Sequence, residues 1–375
     1  MKYIDFKGKS ISMLGYGAMR FPTLGKDSEI DYAETEKLLD RAMEAGINYF
    51  DTAYPYHGGN SEIVLGKILS KYPRDSYYIA TKYPGHQVLP DYNPAPIFEK
   101  QLEKCGVEYF DFYLLHNVAE TSISTYLDDS LGIIDYFLEQ KRRGRIKHLG
   151  FSTHASPQAL REFLDAKGEY MEFCQIQLNY LDWTLQRAKE KCDILAEWNI
   201  PVWVMEPVRG GKLCNLDEKY AEQLRAMAPD RTLPQWAFRF IQGIPEVKVT
   251  LSGMSDLQQL RENIETFETC EPLNAEETKL ILSVAKEMRA VGTLPCTSCR
   301  YCLDYCPQAL NIPWIIELYN EQKYKGGEFR VSSSLLSQPE DKRPTACIGC
   351  GACESVCPQN IKISEMMADF ASKMK

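Results

Sequence analysis

The sequence predicts an α/β protein: a (β/α)8 TIM barrel capped by an N-terminal β-hairpin, followed by a small, mainly helical domain rich in cysteine. Three observations carry this expectation. Eight short apolar runs alternate with amphipathic stretches between residues 12 and 268, a strand–helix rhythm of about thirty residues per unit. A short polar–apolar stretch, YIDFKGKSI (3–11), precedes the first run. Eight of the 13 cysteines fall after residue 295.

In chain order, YIDFKGKSI reads as a hairpin that plugs the bottom of the barrel. The eight runs are SMLGYGAM (12–19), YFDTA (49–53), YYIATKY (77–83), FDFYLLHN (110–117), IKHLGFST (146–153), EFCQIQLNY (172–180), PVWVMEPV (201–208) and VKVTLSGM (247–254). Between them, YAETEKLLDRAMEAG (32–46), IVLGKILSKY (63–72) and LQQLRENIETFE (257–268) have helical spacing. In the first of these, Leu38, Leu39, Ala42 and Met43 form one apolar stripe, as a helix laid on a sheet requires. An open doubly wound sheet is the alternative. It usually carries GxGxxG after its first strand, and here that stretch reads LGYGAMRF. Beyond the barrel, PLNAEETKLILSVAKEMRAVG (272–292) places Leu280, Ile281, Val284, Ala285 and Met288 on one helical face. The expected division is therefore a barrel over 1–270, a linking helix over 271–294 and a cysteine-rich domain over 295–375.

Composition narrows the partners. The net charge is −9 and the pI about 5.3, a surface that repels phosphate backbones, so no nucleic-acid partner is expected. MKYIDFKGKS lacks the apolar core of a secretory signal, and no apolar stretch is long enough to span a bilayer. The expectation is a cytoplasmic protein with no membrane partner, where thiols stay reduced and clustered cysteines point to metal. The scattered Cys105, Cys174, Cys192, Cys214 and Cys270 sit in apolar or helical patterns and read as structural.

The remaining cysteines form two runs: Cys296-x2-Cys299-x2-Cys302-x3-Cys306-Pro307 and Cys347-x2-Cys350-x2-Cys353-x3-Cys357-Pro358. This spacing resembles the bacterial ferredoxin pattern for 4Fe-4S clusters, in which the last cysteine of each run ligates the other cluster. The resemblance assigns Cys296, Cys299, Cys302 and Cys357 to one cluster and Cys347, Cys350, Cys353 and Cys306 to the second. Zinc also uses CxxC pairs and is the rival. IPWIIELYNEQKY (312–324) and KISEMMADFA (362–371) read as helices, so the domain resembles the helical variety of ferredoxin.

A barrel enzyme places its chemistry at the C-terminal ends of its strands. Those ends present Asp51, then Tyr56 in DTAYPYHGG, then Lys82 and His116. FDTAxxY, a strand-end Lys in IATK and DFYLLH together resemble the aldo/keto reductase family over residues 10 to 268. With the C-terminal cysteine runs, the chain resembles its members that carry a ferredoxin-like tail.

The resemblance implies a nicotinamide cofactor and a small carbonyl or alcohol substrate. Tyr56 would exchange the proton, Lys82 would lower the phenol's pKa, Asp51 would hold Lys82, and His116 would bind the carbonyl oxygen. It also implies that Ser152 and Gln177 bind the nicotinamide amide, with Thr153 standing where the family has Asn, and that Tyr180 stacks on the ring. In EPVRGGKL (206–213), Pro207, Val208 and Gly210 would cover the pyrophosphate. Gly253, Met254 and Gln259 occupy the places where a cation would grip a 2′-phosphate, which favours NADH mildly over NADPH, and Asn263 would bind adenine. Arg20, His154 and Trp183 also lie near strand ends.

Three functions stay open. In one, the clusters carry electrons to or from a partner, a ferredoxin or flavoprotein; a hydride moves two electrons and a cluster one, so a flavin is not excluded although no signature for it is present. In another, a nicotinamide-dependent carbonyl reductase carries structural or oxygen-sensing clusters. In the last, the barrel is a non-catalytic binding or regulatory subunit.

Overall fold

The structure, a computed structural model, describes residues 1–26, 28–87, 91–119, 122–290, 292–294, 296, 301–325, 335–336, 338–357 and 359–374. The chain divides into two compact units. The first comprises Met1–Asn215 and Ala228–Thr278; the second comprises Leu216–Met227 and Lys279–Lys375.

In the first unit, β1 (Tyr3–Phe6) and β2 (Lys9–Ser12) pair antiparallel, Tyr3 opposite Ser12 and Phe6 opposite Lys9. The barrel strands are β3 (Leu14–Gly17), β4 (Tyr49–Asp51), β5 (Tyr78–Tyr83), β6 (Phe110–Leu115), β7 (Ile146–Thr153), β8 (Cys174–Gln177), β9 (Val202–Met205) and β10 (Val247–Ser252). All pair in parallel, and β10 returns to β3 to close the sheet. Each apolar run therefore supplies one strand, and closure removes the open-sheet alternative. The runs overreach at their ends: 12–19 yields only Leu14–Gly17, because Ser12 still belongs to the hairpin.

The hairpin fills the barrel floor. Phe6 and Ile11 are buried with Tyr49, Phe112, Trp203 and Val249 in one apolar cluster. Phe6 meets Trp203 edge-on at 5.1 Å between centroids. Outside the sheet, helices follow their sequence signals. Asp31 caps Tyr32–Glu44 by accepting from the Glu34 N–H, and Thr232 and Gln235 form a reciprocal capping box on Leu233–Gln242, the arrangement expected of such residues. The helix Ser61–Leu69 lies so close to Pro94–Cys105 that a Cβ on Gly66 would fall 2.3 Å from the Cys105 carbonyl oxygen. No larger residue fits there without moving a helix.

The second unit is helical among its described residues, with Ile312–Lys325 and Ile363–Ser372 close to the expected spans. Ile312, Ile315, Ile316, Ile363, Met367 and Phe370 form its core. Among the described residues, no helix is long and apolar enough to cross a membrane.

Candidate functional site

Strands β4, β5 and β6 are neighbours in the barrel, so their C-terminal ends stand side by side. Asp51 ends β4, Lys82 lies one residue before the end of β5, and His116 follows β6. The loop after β4 supplies Tyr56, where His57, Gly58 and Gly59 take left-handed φ values of 53°, 63° and 90° and reverse the chain. Phe21 stacks on His57, with 6.0 Å between ring centroids, which steadies that turn.

Lys82 is the centre of the group. Its side chain is fully buried, and its Nζ donates to Asp51 Oδ1 at 2.6 Å, to the Thr52 carbonyl at 2.7 Å and to Tyr56 Oη at 3.5 Å. The Tyr56 ring meets His116 edge-on at 5.9 Å. Behind them, Gln101 Nε2 donates to the Lys82 carbonyl at 3.0 Å and to Glu62 Oε1 at 2.8 Å, while Tyr113 Oη donates to Gln101 Oε1 at 2.5 Å. This buried network fixes the backbone that carries Lys82.

Burial disfavours the Lys82 ammonium, but the Asp51 carboxylate and Tyr56 more than offset it, so its pKa stands above the ordinary lysine value. For Tyr56 the balance differs from the sequence expectation. Burial raises the phenol and Lys82 only partly counters it, so the net shift is upward. The group therefore joins a permanent cation to a protonated phenol, which suits proton donation better than proton removal. Burial, helped by the Lys82 charge, holds His116 well below the ordinary histidine value. Its imidazole is neutral, and its Nδ1 has no hydrogen-bond partner among the described residues.

The residues expected to hold a cofactor line the next strand ends in turn, but several are already engaged. Ser152 Oγ accepts from the Asn117 N–H at 2.8 Å. Thr153 Oγ1 donates to the Val118 carbonyl at 2.5 Å and accepts from the Ala155 N–H at 2.9 Å. Gln177 Nε2 donates to Asp182 Oδ2 at 2.7 Å. Gln259 closes on the N-terminus of its own helix through Asp256 Oδ2 at 2.6 Å. Asn263, buried, donates to Ser252 Oγ at 3.1 Å. The Met254 carbonyl accepts from Tyr16 Oη at 2.6 Å, and its side chain is buried. Tyr180 is fully buried with its ring edge-on to Phe240.

Pro207, Val208 and Gly210 lie in a sharp loop after β9, where Glu206, Arg209, Gly210 and Gly211 all have positive φ. Arg20 bridges this loop to the end of β10. Its Nη2 pairs with Glu206 Oε1 at 3.1 Å, and its aliphatic stem lies over Gly253, where a Cβ would sit 3.0 Å from Arg20 Cβ. A cation does therefore stand beside Gly253. The sequence reading missed it because Arg20 belongs to the loop after β3. It also missed His86, whose ring lies 4.5 Å from that of His116; a histidine in a loop carries no strand-end signal.

In the second unit, Cys306, Cys347, Cys350 and Cys353 line one open pocket, walled by Leu310, Ile312, Ile363 and Met367. Cys306 comes from the first run and the others from the second, the crossed set that the spacing implies for one cluster. The Leu310 N–H donates to Cys306 Sγ at 3.5 Å. Four soft thiol donors around an apolar hollow fit an iron–sulfur cluster. Among the described residues, no three His, Cys, Asp or Glu side chains gather as a single metal ion needs. Of the other set, Cys296, Cys302 and Cys357 pack on the same core, whereas Cys299 lies outside the described residues, as does Pro358. Burial pushes the thiols of Cys105 and Cys174 well up, Cys192 to about 12 and Cys214 to about 11, and raises Cys270. These five are protonated packing groups.

Residues 13–286 match the family model described as the Aldo/keto reductase family, and residues 295–361 one described as a 4Fe-4S dicluster domain. Over 307 residues the chain is 27% identical to the oxidoreductase YqkF of Bacillus subtilis, covering 74% of this chain and 94% of that protein. It is 27% identical over 195 residues to an NADH-specific methylglyoxal reductase of Escherichia coli, covering 47% of this chain and 57% of the relative. Among solved structures, the holo form of an aldo-keto reductase from Bacillus halodurans superposes with a TM-score of 0.63 at 28% identity, covering 76% of this chain and 96% of that one. With the barrel, the strand-end residues and the paired cysteine runs in one chain, this protein belongs to the aldo/keto reductase family as an oxidoreductase that carries a C-terminal 4Fe-4S dicluster domain.

Proposed function

We propose that the barrel interconverts a small carbonyl compound and its alcohol, with Asp51, Tyr56, Lys82 and His116 as its catalytic residues. The observation that carries this reading is the single amine of Lys82, shared at 2.6 Å with Asp51 and at 3.5 Å with Tyr56. A bound nicotinamide would supply the hydride. Tyr56 gives its phenolic proton to the carbonyl oxygen as negative charge develops there. Lys82 stays charged throughout, stabilises the phenolate left behind and is itself held by Asp51. The neutral His116 donates an N–H to the same oxygen and orients it. Ser152, Thr153, Gln177, Pro207, Val208, Gly210, Gly253, Met254, Gln259 and Asn263 would hold the nicotinamide cofactor along the neighbouring strand ends.

NADH is favoured mildly over NADPH. The similarity to the NADH-specific methylglyoxal reductase of E. coli supports this, and the Arg20 guanidinium is already paired with Glu206. The crossed cysteine set in the second unit supports two 4Fe-4S clusters, which would supply one-electron transfer to or from a ferredoxin or flavoprotein. A purely structural role for the clusters is the second reading, favoured by Cys302 and Cys353 lying within the apolar core.

The test is steady-state reduction of short aldehydes by the purified protein with NADH and with NADPH, beside the Tyr56→Phe variant. Turnover that falls about 10²–10⁴-fold in the variant, the usual worth of a positioned acid, supports the reading. Undiminished turnover in Tyr56→Phe removes it.

A further inference from the structure

Three of the five histidines of the chain lie at neighbouring strand ends beside the proposed site. His116 follows β6, His86 lies in the loop after β5, and His154 follows β7. The His86 and His116 rings are 4.5 Å apart at 68°. All three are half-buried, as is Tyr56, so the imidazoles stand where a ligand can reach them. His154 hydrogen-bonds Gln177; His116 feels the charge of His86 and His154, and His154 that of His86.

The charged groups around them are few and largely paired. Lys82 faces His116 and is held by Asp51. Lys191 and Asp182 face His154; Asp182 lies 3.3 Å from the Arg209 guanidinium. Glu206 is paired with Arg20. Among the described residues, Asp51, Asp182 and Glu206 each already have a cation. The imidazoles of His116 and His154, by contrast, are kept neutral chiefly by burial, with Lys82 acting on His116, Lys191 on His154 and His86 on both; His154 is pushed down to about 4. They form a donor-rich wall in a field that resists further positive charge. An anion placed against that wall reverses the balance, because it accepts imidazole N–H groups and makes protonation favourable.

We propose that His86 and His154, beside His116, form an anion-selecting wall, and that the substrate is a small carbonyl compound bearing a carboxylate. The carbonyl oxygen takes the Tyr56–His116 position and the carboxylate lies toward His86 and His154. This substrate class rests on the carbonyl-reductase reading above. Binding of the carboxylate takes up protons onto the imidazoles, and affinity falls as the pH rises.

The test uses matched pairs: glyoxylate, pyruvate and 4-oxobutanoate, each against its methyl ester, with the holoenzyme between pH 6 and 8. At least one acid should exceed its ester about tenfold in kcat/KM at pH 6, and that preference should shrink toward pH 8. In His86→Asn and in His154→Asn the acid should lose more than the ester, and the pH dependence of the preference should flatten. Esters favoured in every pair, or an acid preference that neither substitution changes, overturns the proposal. If neither acids nor esters are turned over, it is the carbonyl-reductase reading that fails. Calorimetry of the same acids in two buffers of different ionisation enthalpy then decides the anion wall by itself: proton uptake that disappears in the variants upholds it, and no uptake overturns it.

Discussion

At the scale of single residues, Lys82 shows how burial and charge divide the work. A fully buried ammonium without a partner costs several kcal/mol, yet Asp51, the Thr52 carbonyl and Tyr56 take all three of its N–H bonds. Lys82→Met removes the charge that stabilises the phenolate and strands Asp51 without a cation. We expect turnover to fall about 10²–10⁴-fold and stability to drop by about 3–5 kcal/mol, the usual result of removing one partner of a buried pair. Rate assays and denaturant melts check the two effects separately. Gln101→Leu should act differently, because Gln101 touches only the backbone and supports of Lys82. We expect a smaller loss of kcat with KM nearly unchanged, and Gln101→Glu should not restore it, because a carboxylate has no N–H for the Lys82 carbonyl and would stand against Glu62. Asp51, Lys82 and His116 stood out in the sequence because a polar residue at the end of an apolar run is conspicuous, whereas Tyr56, in the loop after β4, stood out only through the motif it shares with Asp51. Their protonation was not legible: only the depth of Tyr56 shows that burial outweighs Lys82.

At the scale of elements, the hairpin and the barrel floor explain one another. Phe6 and Ile11 reach into the cluster that Phe112, Phe173 and Trp203 build from the strands. Phe6→Ala should cost about 3–5 kcal/mol, as for other large buried aromatics, read as a shift in the denaturation midpoint without loss of the barrel's circular-dichroism signature. Beside Phe6, the exposed Lys7 pairs with Glu172 at 2.5 Å, and Glu172 also accepts from Lys141 and His148. Burial alone would raise this carboxyl, but those bonds and the Leu149 N–H outweigh it and hold Glu172 far below its ordinary value of 4.5. A folded pKa below the unfolded one means stabilisation that is complete above pH 4.5 and is lost as the pH falls through the folded value. Glu172→Gln should therefore lower stability at pH 7 by about 1.5–3 kcal/mol, the worth of a charged hydrogen bond, and the gap to the parent should close progressively below pH 4.5 in a series of urea melts. The strands were readable because an apolar run bounded by turns needs only local information. Which strand residues face the floor depends on closure and register, and these emerge only when β10 meets β3.

At the scale of the whole molecule, the proposed function puts a two-electron site and a pair of one-electron centres on one chain. The cysteine spacing was the most specific signal in the sequence, because it occurs twice. The grouping of Cys306 with Cys347, Cys350 and Cys353 around one hollow turns the crossed assignment into an experiment. Cys306→Ala should disturb the cluster held by the second run, and Cys357→Ala the one held by the first, so each variant should lose about half the iron and one of two low-temperature spin-resonance signals. What joins the clusters to the barrel chemistry was not legible, since electron transfer depends on potentials that residue identity does not encode. Anaerobic titration of the holoprotein with NADH, then with NADPH, addresses it directly, following cluster absorbance near ~400 nm together with the spin signals of reduced clusters. On the electron-transfer reading, one nicotinamide bleaches the clusters, at two electrons per hydride shared between two one-electron centres, so a single equivalent of NADH suffices for both. Such bleaching demands a converter between hydride and single electrons, and a flavin extracted from the same preparation would supply it. If nicotinamide binds while the clusters stay oxidised, and dithionite then reduces them, the two chemistries run separately. The barrel then works as a carbonyl reductase whose second unit is either structural or reduced by its own partner, and a Cys306→Ala protein that keeps full aldehyde turnover would select that outcome independently.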